Sequence, residues 1–343
     1  MFKPAIIGIF IILISVMLFN GCGDKKDGKT DNGKVDSVAA SLIKKDSVTG
    51  KDKVLLKYIV KPGDKMFYKI NVKTARTAKG TATNDQEQKE ENIMNYYYTK
   101  EVKDIDVNGF VTFITTIDSI NITSTFADNK RVYNSNVNDS NLHSRDFFEY
   151  TALIKSPFYM RVSSQGEITD MFGLEKIYEN LFKELGDTLT EQEKGRVKEA
   201  FGKDAIIEIM QQEYQLFPGG EIMTDSSWVK TFSTMAIVFE VLNNAKYTFK
   251  GIENKDGKVL ANIEALLNVE FKNKEAKEQG IKLTLEDSET SGSGKIQVNL
   301  SRGCVQYKET ATVLKMNMKL SAQGQTEKSH QGITTNIVVS LLN

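Results

Sequence analysis

The sequence predicts an α+β fold that consists mainly of an antiparallel, curved β-sheet with an inserted block of two or three helices. Three observations predict it. Apolar and polar residues alternate over many segments, residues typical of tight turns separate those segments, and one central stretch has helical spacing instead. A half-barrel is one form that such a sheet can take.

Alternation with a period of two identifies the strands, because successive side chains of a strand point to opposite faces of the sheet. The clearest runs are Met66 to Val72, Ile296 to Leu300 and Leu314 to Leu320. Gly and Asn or Asp between two such runs are typical of hairpins, and neighbouring strands are expected to follow one another along the chain. The turn signals are Pro62-Gly63-Asp64, Asn108-Gly109, Gln165-Gly166, Asp256-Gly257 and Arg302-Gly303.

The helical block is predicted from apolar spacing and capping signals. Apolar residues at positions 174 to 185 recur every three or four residues, which predicts an amphipathic helix. Thr190-Glu191-Gln192-Glu193 has the pattern of a capping box and predicts a second helix. Asp204 is placed to cap a third helix that runs to Tyr214. We therefore expect one β-rich domain over residues 53–343, with a helical insertion at about 173–215.

The N-terminus has the layout of a lipoprotein signal. Lys3, a short apolar run from Ala5 to Phe19, then Gly21 and Cys22 resemble the lipobox pattern. The run has about 15 residues, fewer than the ~20 that a spanning helix needs. We predict that residues 1–21 are a signal peptide cleaved after Gly21 and that Cys22 is lipidated. An uncleaved membrane anchor is the alternative. Either interpretation places the protein at a membrane of the bacterial cell envelope, with the outer membrane favoured.

Residues 22–52 are predicted to be a flexible, charged tether that follows the lipidated cysteine. From Gly23 to Asp52 there is no aromatic residue, and Lys and Asp are interspersed. Lipidation of Cys22 leaves Cys304 without an intramolecular partner, so no disulfide is expected. The chain has 45 Lys and Arg against 45 Asp and Glu, and this balance argues against nucleic acid as a partner.

The segment from Asp104 to Val111 matches the first eight of the twelve positions of an EF-hand loop. Asp104, Asp106 and Asn108 occupy the first three ligand positions, and Gly109 follows them. Thr115 stands where the loop needs a bidentate Glu, and the flanking residues favour strands over helices. We therefore favour a hairpin turn, with a weak calcium site as the alternative.

Other patterns give no catalytic site or cofactor. Ser291-Gly292-Ser293-Gly294-Lys295 is rich in glycine but lacks the Ser or Thr that binds magnesium in a phosphate loop, so a loop before a strand is expected. The only two histidines, His143 and His330, are far apart in the sequence. We expect no enzyme activity and no cofactor.

Scattered motifs resemble an uncharacterised family of bacterial lipoproteins over most of residues 54–343. They are Gly63-Asp64 with Tyr68, Pro157-Phe158 before Val162-x-x-x-Gly166-x-Ile168, Gly173-Leu174, Phe217-Pro218 before Asp225-Ser226-Ser227-Trp228, and Gly292-Ser293-Gly294 before Gly303. The resemblance implies no activity. The outline is also similar to half-barrel periplasmic carriers of lipids and lipoproteins, by analogy of shape alone.

Two apolar stripes are the candidate ligand face. They consist of Leu314, Met316, Met318 and Leu320 on a strand, and of Leu174, Ile177 and Leu181 on a helix. Such stripes suit either a packed core or a cavity for an acyl chain. We expect a non-enzymatic binding or carrier module for a lipid or another apolar ligand. The alternative is a structural or protein-interaction lipoprotein with a filled core.

Overall fold

The computed structural model describes residues 37–81, 84–127, 129–137, 147–186, 189–200, 202–214, 216–278, 280–322 and 325–342. The predicted signal peptide, with Gly21, and the predicted lipidation site Cys22 lie outside these residues. Among the helices that it describes, none is long and apolar enough to cross a membrane.

The described chain forms sixteen strands and five helices. The strands are β1 (Ile43–Lys45), β2 (Asp52–Leu55), β3 (Lys65–Gly80), β4 (Gln88–Ile105), β5 (Val111–Phe126), β6 (Asn129–Asn134), β7 (Phe158–Val162), β8 (Ile168–Phe172), β9 (Glu221–Met223), β10 (Ser227–Ala236), β11 (Phe239–Lys255), β12 (Lys258–Phe271), β13 (Glu275–Glu278), β14 (Ile281–Asn299), β15 (Cys304–Ala322) and β16 (Gln325–Leu341). The helices are α1 (Ser37–Leu42), α2 (Phe148–Leu153), α3 (Glu175–Leu185), α4 (Glu191–Ala200) and α5 (Lys203–Met210).

Most strands belong to one large antiparallel sheet. Its order is β10-β11-β12-β14-β15-β16-β3-β4-β5-β7-β8, while β13 pairs with β14 and β6 pairs with β5. The path is open, since β10 and β8 stand at its two ends. This arrangement confirms the predicted α+β class with a curved antiparallel sheet. We call β10 to β16 the C-terminal half of the sheet and β3 to β8 the N-terminal half.

Turn chemistry explains the sequential hairpins. Asp256 and Gly257 connect β11 to β12 as a two-residue turn in which both residues have positive φ, 51° and 71°. That is the type I′ geometry that matches strand twist, and Asp-Gly suits it. Asn108-Gly109, Gln165-Gly166 and Arg302-Gly303 also connect antiparallel neighbours. Pro62-Gly63-Asp64 does not, because β2 and β3 belong to different sheets.

The two halves of the sheet meet where the last strand pairs with β3. The ladder runs from Leu341 opposite Tyr68 to Ser329 opposite Gly80. Our expectation that neighbouring strands follow one another along the chain is wrong at this position. Alternation shows which segments are strands, but it does not show which strands pair. For two strands that are distant in sequence, such as β3 and β16, tertiary packing determines the pairing.

The helical block agrees with the sequence in its first two helices. α3 begins at Glu175, and α4 follows a formed capping box in which Thr190 N donates to Glu193 Oε2 (2.8 Å) and Glu193 N donates to Thr190 Oγ1 (3.3 Å). The third helix differs. α5 starts at Lys203, one residue before the predicted cap Asp204, and ends at Met210 rather than Tyr214.

Part of the predicted tether belongs to the folded body. Residues 37–52 form α1, β1 and the start of β2, and β1-β2-β9 is a separate three-stranded sheet. Ala39, Leu42 and Val54 are buried in a common cluster with residues of the large sheet. The prediction was wrong here because the few apolar residues of this segment are not isolated in space. They cover the large sheet instead of forming a core of their own.

The segment Ser291 to Lys295 is also different from the prediction. It lies inside β14, paired on one side with β12 and on the other with β15, and not in a loop before a strand. Glycine weakens an isolated strand, but two flanking ladders hold this one in place.

Three hydrophobic clusters line one face of the large sheet, which we call the inner face. The first lies in the N-terminal half beneath α2, α3 and α5. The second lies between the C-terminal half and the β1-β2-β9 sheet. The third lies at the other end of the same strands, around Phe239, Leu314 and Ile333.

Two glycines with positive φ are expected to respond differently to alanine. Gly257 (φ 71°) faces open space, whereas a Cβ on Gly303 (φ 57°) would collide with the backbone of residues 57–59. We expect Gly257→Ala to lower the free energy of unfolding by about 1 kcal/mol through backbone strain alone. Gly303→Ala should cost at least about 3 kcal/mol, because the steric conflict adds to the strain. Urea unfolding of both variants measures the difference, and equal losses would contradict the close contact at Gly303.

Candidate functional site

The residues of the predicted ligand face are not brought together. Leu314, Met316 and Met318 are buried in the third cluster, and Leu320 is partly buried at its border. The helical residues are in the first cluster instead. They are Leu174, Ile177 and Leu181. The hypothesis of one shared ligand space between helix and sheet is therefore wrong.

The separation has a simple cause. The helices pack on the N-terminal half, where α3 contacts α2 and α5 contacts β8. The stripe on β15 packs with Phe239, Leu285 and Ile333 from strands of the C-terminal half. The helical stripe is consequently core for the helices, whereas the β15 stripe borders unfilled space at Leu314.

A small void lies on the inner face beside the stripe on β15. Side chains from five strands, β10, β11, β12, β14 and β15, surround it, so this part of the sheet is concave. Its volume is about 10 Å³, which is at the lower limit for one water molecule. Thr312 in its wall lies directly opposite Gly292, which has no side chain.

Two buried polar atoms in the wall of the void have no protein partner among the described residues. They are Asn243 Oδ1 and Thr312 Oγ1, and both residues are 1% exposed. The amide nitrogen of Asn243 is satisfied, since it donates to Thr234 Oγ1 at 2.8 Å. The other walls are largely apolar and include Val241, Val269 and Leu314. Unpaired polar atoms in an apolar environment lower the stability of the fold. A bound ligand with a hydroxyl or amine group can donate a hydrogen bond to them and so remove this cost.

A second group of polar residues is buried where the two halves of the sheet meet. Lys100 and Glu213 form an ion pair with exposures of 0% and 1%. Tyr98 Oη donates to Glu213 Oε2 at 2.9 Å, and Lys100 Nζ donates to Tyr214 Oη at 3.1 Å. The Lys100 ammonium also lies 4.3 Å from the ring centre of Phe113 and 4.3 Å from that of Tyr214. We call this group the buried charge cluster.

Burial controls the proton equilibria around this cluster. It raises the pKa of Tyr98, with Glu213 acting in the same direction, and it raises the pKa of the Cys304 thiol. It lowers the pKa of Lys308 to about 8, partly opposed by the charge of Glu213. Lys308 Nζ donates to the backbone oxygen of Tyr214 at 3.4 Å. These groups are closed off from solvent, so their unusual proton affinities follow from packing rather than from a site that a substrate reaches.

Sequence reasoning missed this cluster, although a signal was present. Lys100 has the parity of Tyr96 and Tyr98, and Lys308 has the parity of Thr310, Thr312 and Leu314. A lysine on the buried parity of a strand predicts a buried cation that needs a partner. The partner Glu213 could not be found in this way, because it lies just beyond the end of α5.

The EF-hand-like residues form the turn between β4 and β5. Asp106 Oδ1 accepts hydrogen bonds from the backbone of Asn108 (2.8 Å) and Phe110 (3.0 Å), and Oδ2 pairs with Arg161. Asp104 is the last but one residue of β4, and Thr115 is fully buried on β5. The hairpin is confirmed, and the Asp106 carboxylate stabilises the turn. Among the described residues, no three His, Cys, Asp or Glu side chains are grouped to hold a metal ion.

The remaining candidates are not part of a common site. Cys304 is a buried free thiol, and His330 is exposed with its Nδ1 2.7 Å from Asn317 Oδ1. His143 lies outside the described residues, as do Gly21 and Cys22.

A family model described as a family of unknown function, DUF6263, matches residues 108–305. None of the curated proteins that were compared with the chain matches it.

Three solved structures show a distant likeness. A structure of lipid–protein interactions in lipovitellin has 10% identity and a TM-score of 0.43, covering 82% of this chain but only 25% of the lipovitellin chain. An outer membrane channel from Pseudomonas putida F1 has 7% identity, a TM-score of 0.18, and coverage of 82% and 97%. OmpF of Salmonella typhi in complex with daunomycin has 6% identity, a TM-score of 0.19, and coverage of 81% and 99%. These scores are too low to establish a shared fold or function.

Two threonines on the inner face of β15 test whether the void is dry. Thr310 and Thr312 are each 1% exposed, but among the described residues only the Thr310 hydroxyl has a partner, Ile337 O at 3.3 Å. We expect Thr312→Val to raise the free energy of unfolding by about 1 kcal/mol, because it removes an unpaired buried hydroxyl. The matched variant Thr310→Val should lower it by about 1 kcal/mol, because it breaks a hydrogen bond. Chemical unfolding of the full-length chain measures both, and a loss in both variants would show that the Thr312 hydroxyl has a partner.

Proposed function

The chain belongs to the family of unknown function DUF6263, and we propose that it is a lipid-anchored, non-enzymatic module of the bacterial cell envelope that binds an apolar ligand. The binding place is the inner face of the C-terminal half, around the void between Asn243 and Thr312.

One observation carries this proposal. The void is enclosed mainly by apolar side chains, yet two fully buried polar atoms in its wall have no protein partner among the described residues. A ligand with an apolar body and a single hydroxyl or amine group fits both features. Ligand sites are commonly apolar with a few placed polar groups of this kind.

Binding requires the void to enlarge. At about 10 Å³ it is far smaller than a ligand pocket of several hundred Å³. Met316 and Met318 continue the same face of β15 beyond Leu314. Methionine side chains are flexible enough to rearrange around an acyl chain at small cost. In this proposal the void marks the place where an acyl chain enters by displacing these side chains.

The anchor part of the proposal is supported by the sequence of residues 1–22. A short apolar run followed by Gly21 and Cys22 fits export and lipidation, and lipid chains on Cys22 hold the protein at the membrane surface. The non-enzymatic part is supported by the buried charge cluster. Its charged groups are 0% and 1% exposed, so a substrate does not reach them.

A structural or interaction lipoprotein with a filled core is the second candidate. The observation that favours it is the same small volume, because about 10 Å³ holds at most one water molecule, which is itself able to pair with Asn243 and Thr312.

The two candidates predict different masses for the purified protein. If an apolar ligand is bound, native mass spectrometry of the full-length protein in detergent should give a mass above the denatured mass by that of a lipid. Val269→Phe places a larger side chain in the wall of the void and should reduce the bound fraction at least about fivefold, since an occupied wall excludes the ligand.

Leu266→Phe is the matched control. It makes a similar change on the same strand, but Leu266 is 61% exposed on the other face, so the bound fraction should not change. Circular dichroism verifies that both variants are folded. Equal native and denatured masses for the unmodified protein would reject the binding module in favour of the filled structural protein.

Replacing the anchor cysteine tests the location. We expect Cys22→Ser to abolish incorporation of labelled fatty acid and to move the protein out of the detergent phase in phase partition, because the acyl chains are lost. Cys304→Ser should leave both properties unchanged, since that thiol is buried in the fold. Unchanged partition of Cys22→Ser would instead support an uncleaved N-terminal helix as the anchor.

A further inference from the structure

A groove of about 330 Å³ lies at the end of the C-terminal half, away from the void. Five strands form it: β11, β12, β14, β15 and β16, together with Asp256 of the turn between β11 and β12. Its volume is within the range of small-molecule sites. Leu260 and Leu341 are part of its lining and are buried, Leu341 with its side chain in the first hydrophobic cluster, and the remaining lining residues are polar or amphipathic.

The central part of the groove is a row of residues in register. Gln297 on β14 lies opposite Tyr307 on β15, and Tyr307 lies opposite Ser340 on β16. The row therefore places an amide, an aromatic ring and a hydroxyl side by side across three strands. Directly opposed side chains are close enough to contact one ligand together.

A β-bulge adds a fourth group. The register between β14 and β15 shifts between Gln297 and Val298, which leaves Gln306 as the extra residue of β15. Bulges redirect side chains and are frequent next to functional sites. Gln306 lines the groove and is held at both ends of its amide, since it accepts from Asn299 Nδ2 (3.2 Å) and donates to Leu341 O (3.4 Å).

Hydrogen bonds also hold two groups of the row, Gln297 and Tyr307, in position. Gln297 Nε2 donates to Asn262 Oδ1 at 3.0 Å, and Tyr307 Oη donates to Glu309 Oε2 at 3.1 Å. Burial, with Glu309 as a second cause, raises the pKa of Tyr307 to about 12, so its hydroxyl stays protonated at neutral pH. Side chains that are held before binding lose little entropy when a ligand arrives.

The chemistry of the groove selects its ligand class. The aromatic ring of Tyr307, which shares the lining with Leu260, suits a ligand with an apolar face, while amides and hydroxyls suit a ligand with many hydroxyl groups at its edge. The rim carries Lys255, Lys258 and Asp256, so both signs of charge are present and neither dominates. Pyranose rings combine an apolar face with a rim of hydroxyl groups.

We propose that this groove, built on Gln297, Gln306, Tyr307 and Ser340, is a saccharide-binding site. The ring of Tyr307 packs against the apolar face of a sugar, and the amides of Gln297 and Gln306 bind its hydroxyl groups. The site is separate from the void between Asn243 and Thr312, because the two share no lining residue.

Saturation-transfer difference NMR on the full-length protein in detergent tests the proposal, with a β-1,4-linked trimer of N-acetylglucosamine and maltotriose as probes. We expect saturation transfer to at least one of them, and Tyr307→Ala should weaken its binding at least about tenfold, as loss of a stacking partner does. Tyr97→Ala is the matched control. It removes a half-buried tyrosine on β4, outside the groove, and should leave binding unchanged.

Gln297→Leu is the second variant, since it keeps the size of the side chain and removes only the amide. It should also weaken binding, with an unchanged circular dichroism spectrum showing that the fold is intact. Absence of saturation transfer from both probes would overturn the proposal. Saturation transfer that is the same in the unmodified protein, in Tyr307→Ala and in Gln297→Leu would also overturn it, because the saccharide would then be bound elsewhere.

Discussion

The pairing of β16 with β3 is the constraint on which the rest of the structure depends. It joins a run of sequential strands that precedes the helices to another run that follows them, and so makes one sheet from two. The buried charge cluster lies beneath this seam. Lys100 comes from β4, Glu213 and Tyr214 follow α5, and Lys308 comes from β15. The strands β4 and β15 and the residues after α5 can therefore enclose the cluster only when β16 and β3 have paired.

The charges within the cluster are more informative about specificity than about stability. Taking Lys100 and Glu213 out of water costs several kcal/mol per ion, and their attraction with the surrounding hydrogen bonds roughly offsets that cost. Breaking the pair is far less favourable than keeping it. A sheet that closes in another register leaves a buried ion without its partner, so we infer that the pair disfavours alternative pairings of β3, β4 and β15.

The sequence predicts the parts of this protein whose signals are local. The strands, four of the hairpin turns and the capping box at Thr190 all depend on residues a few positions apart, and the structure contains them. Long-range features were not predictable in this way. The partner of β16, the packing of residues 37–52 and the separation of the two apolar stripes depend on which surfaces meet in space. The groove was missed for the same reason, since Gln297, Tyr307 and Ser340 are adjacent only across strands.

The seam between β16 and β3 also has a consequence for how the chain acquires its structure. Tyr68 can pair with its partner Leu341 only after all of the intervening chain has been made, whereas β4 and β5 can pair as soon as both have been synthesised. One edge of β3 therefore stays open during synthesis, with its backbone groups unpaired. Contacts so distant in sequence form slowly, and open edges attract other strands. The period before the seam closes is thus when this chain has most need of a chaperone.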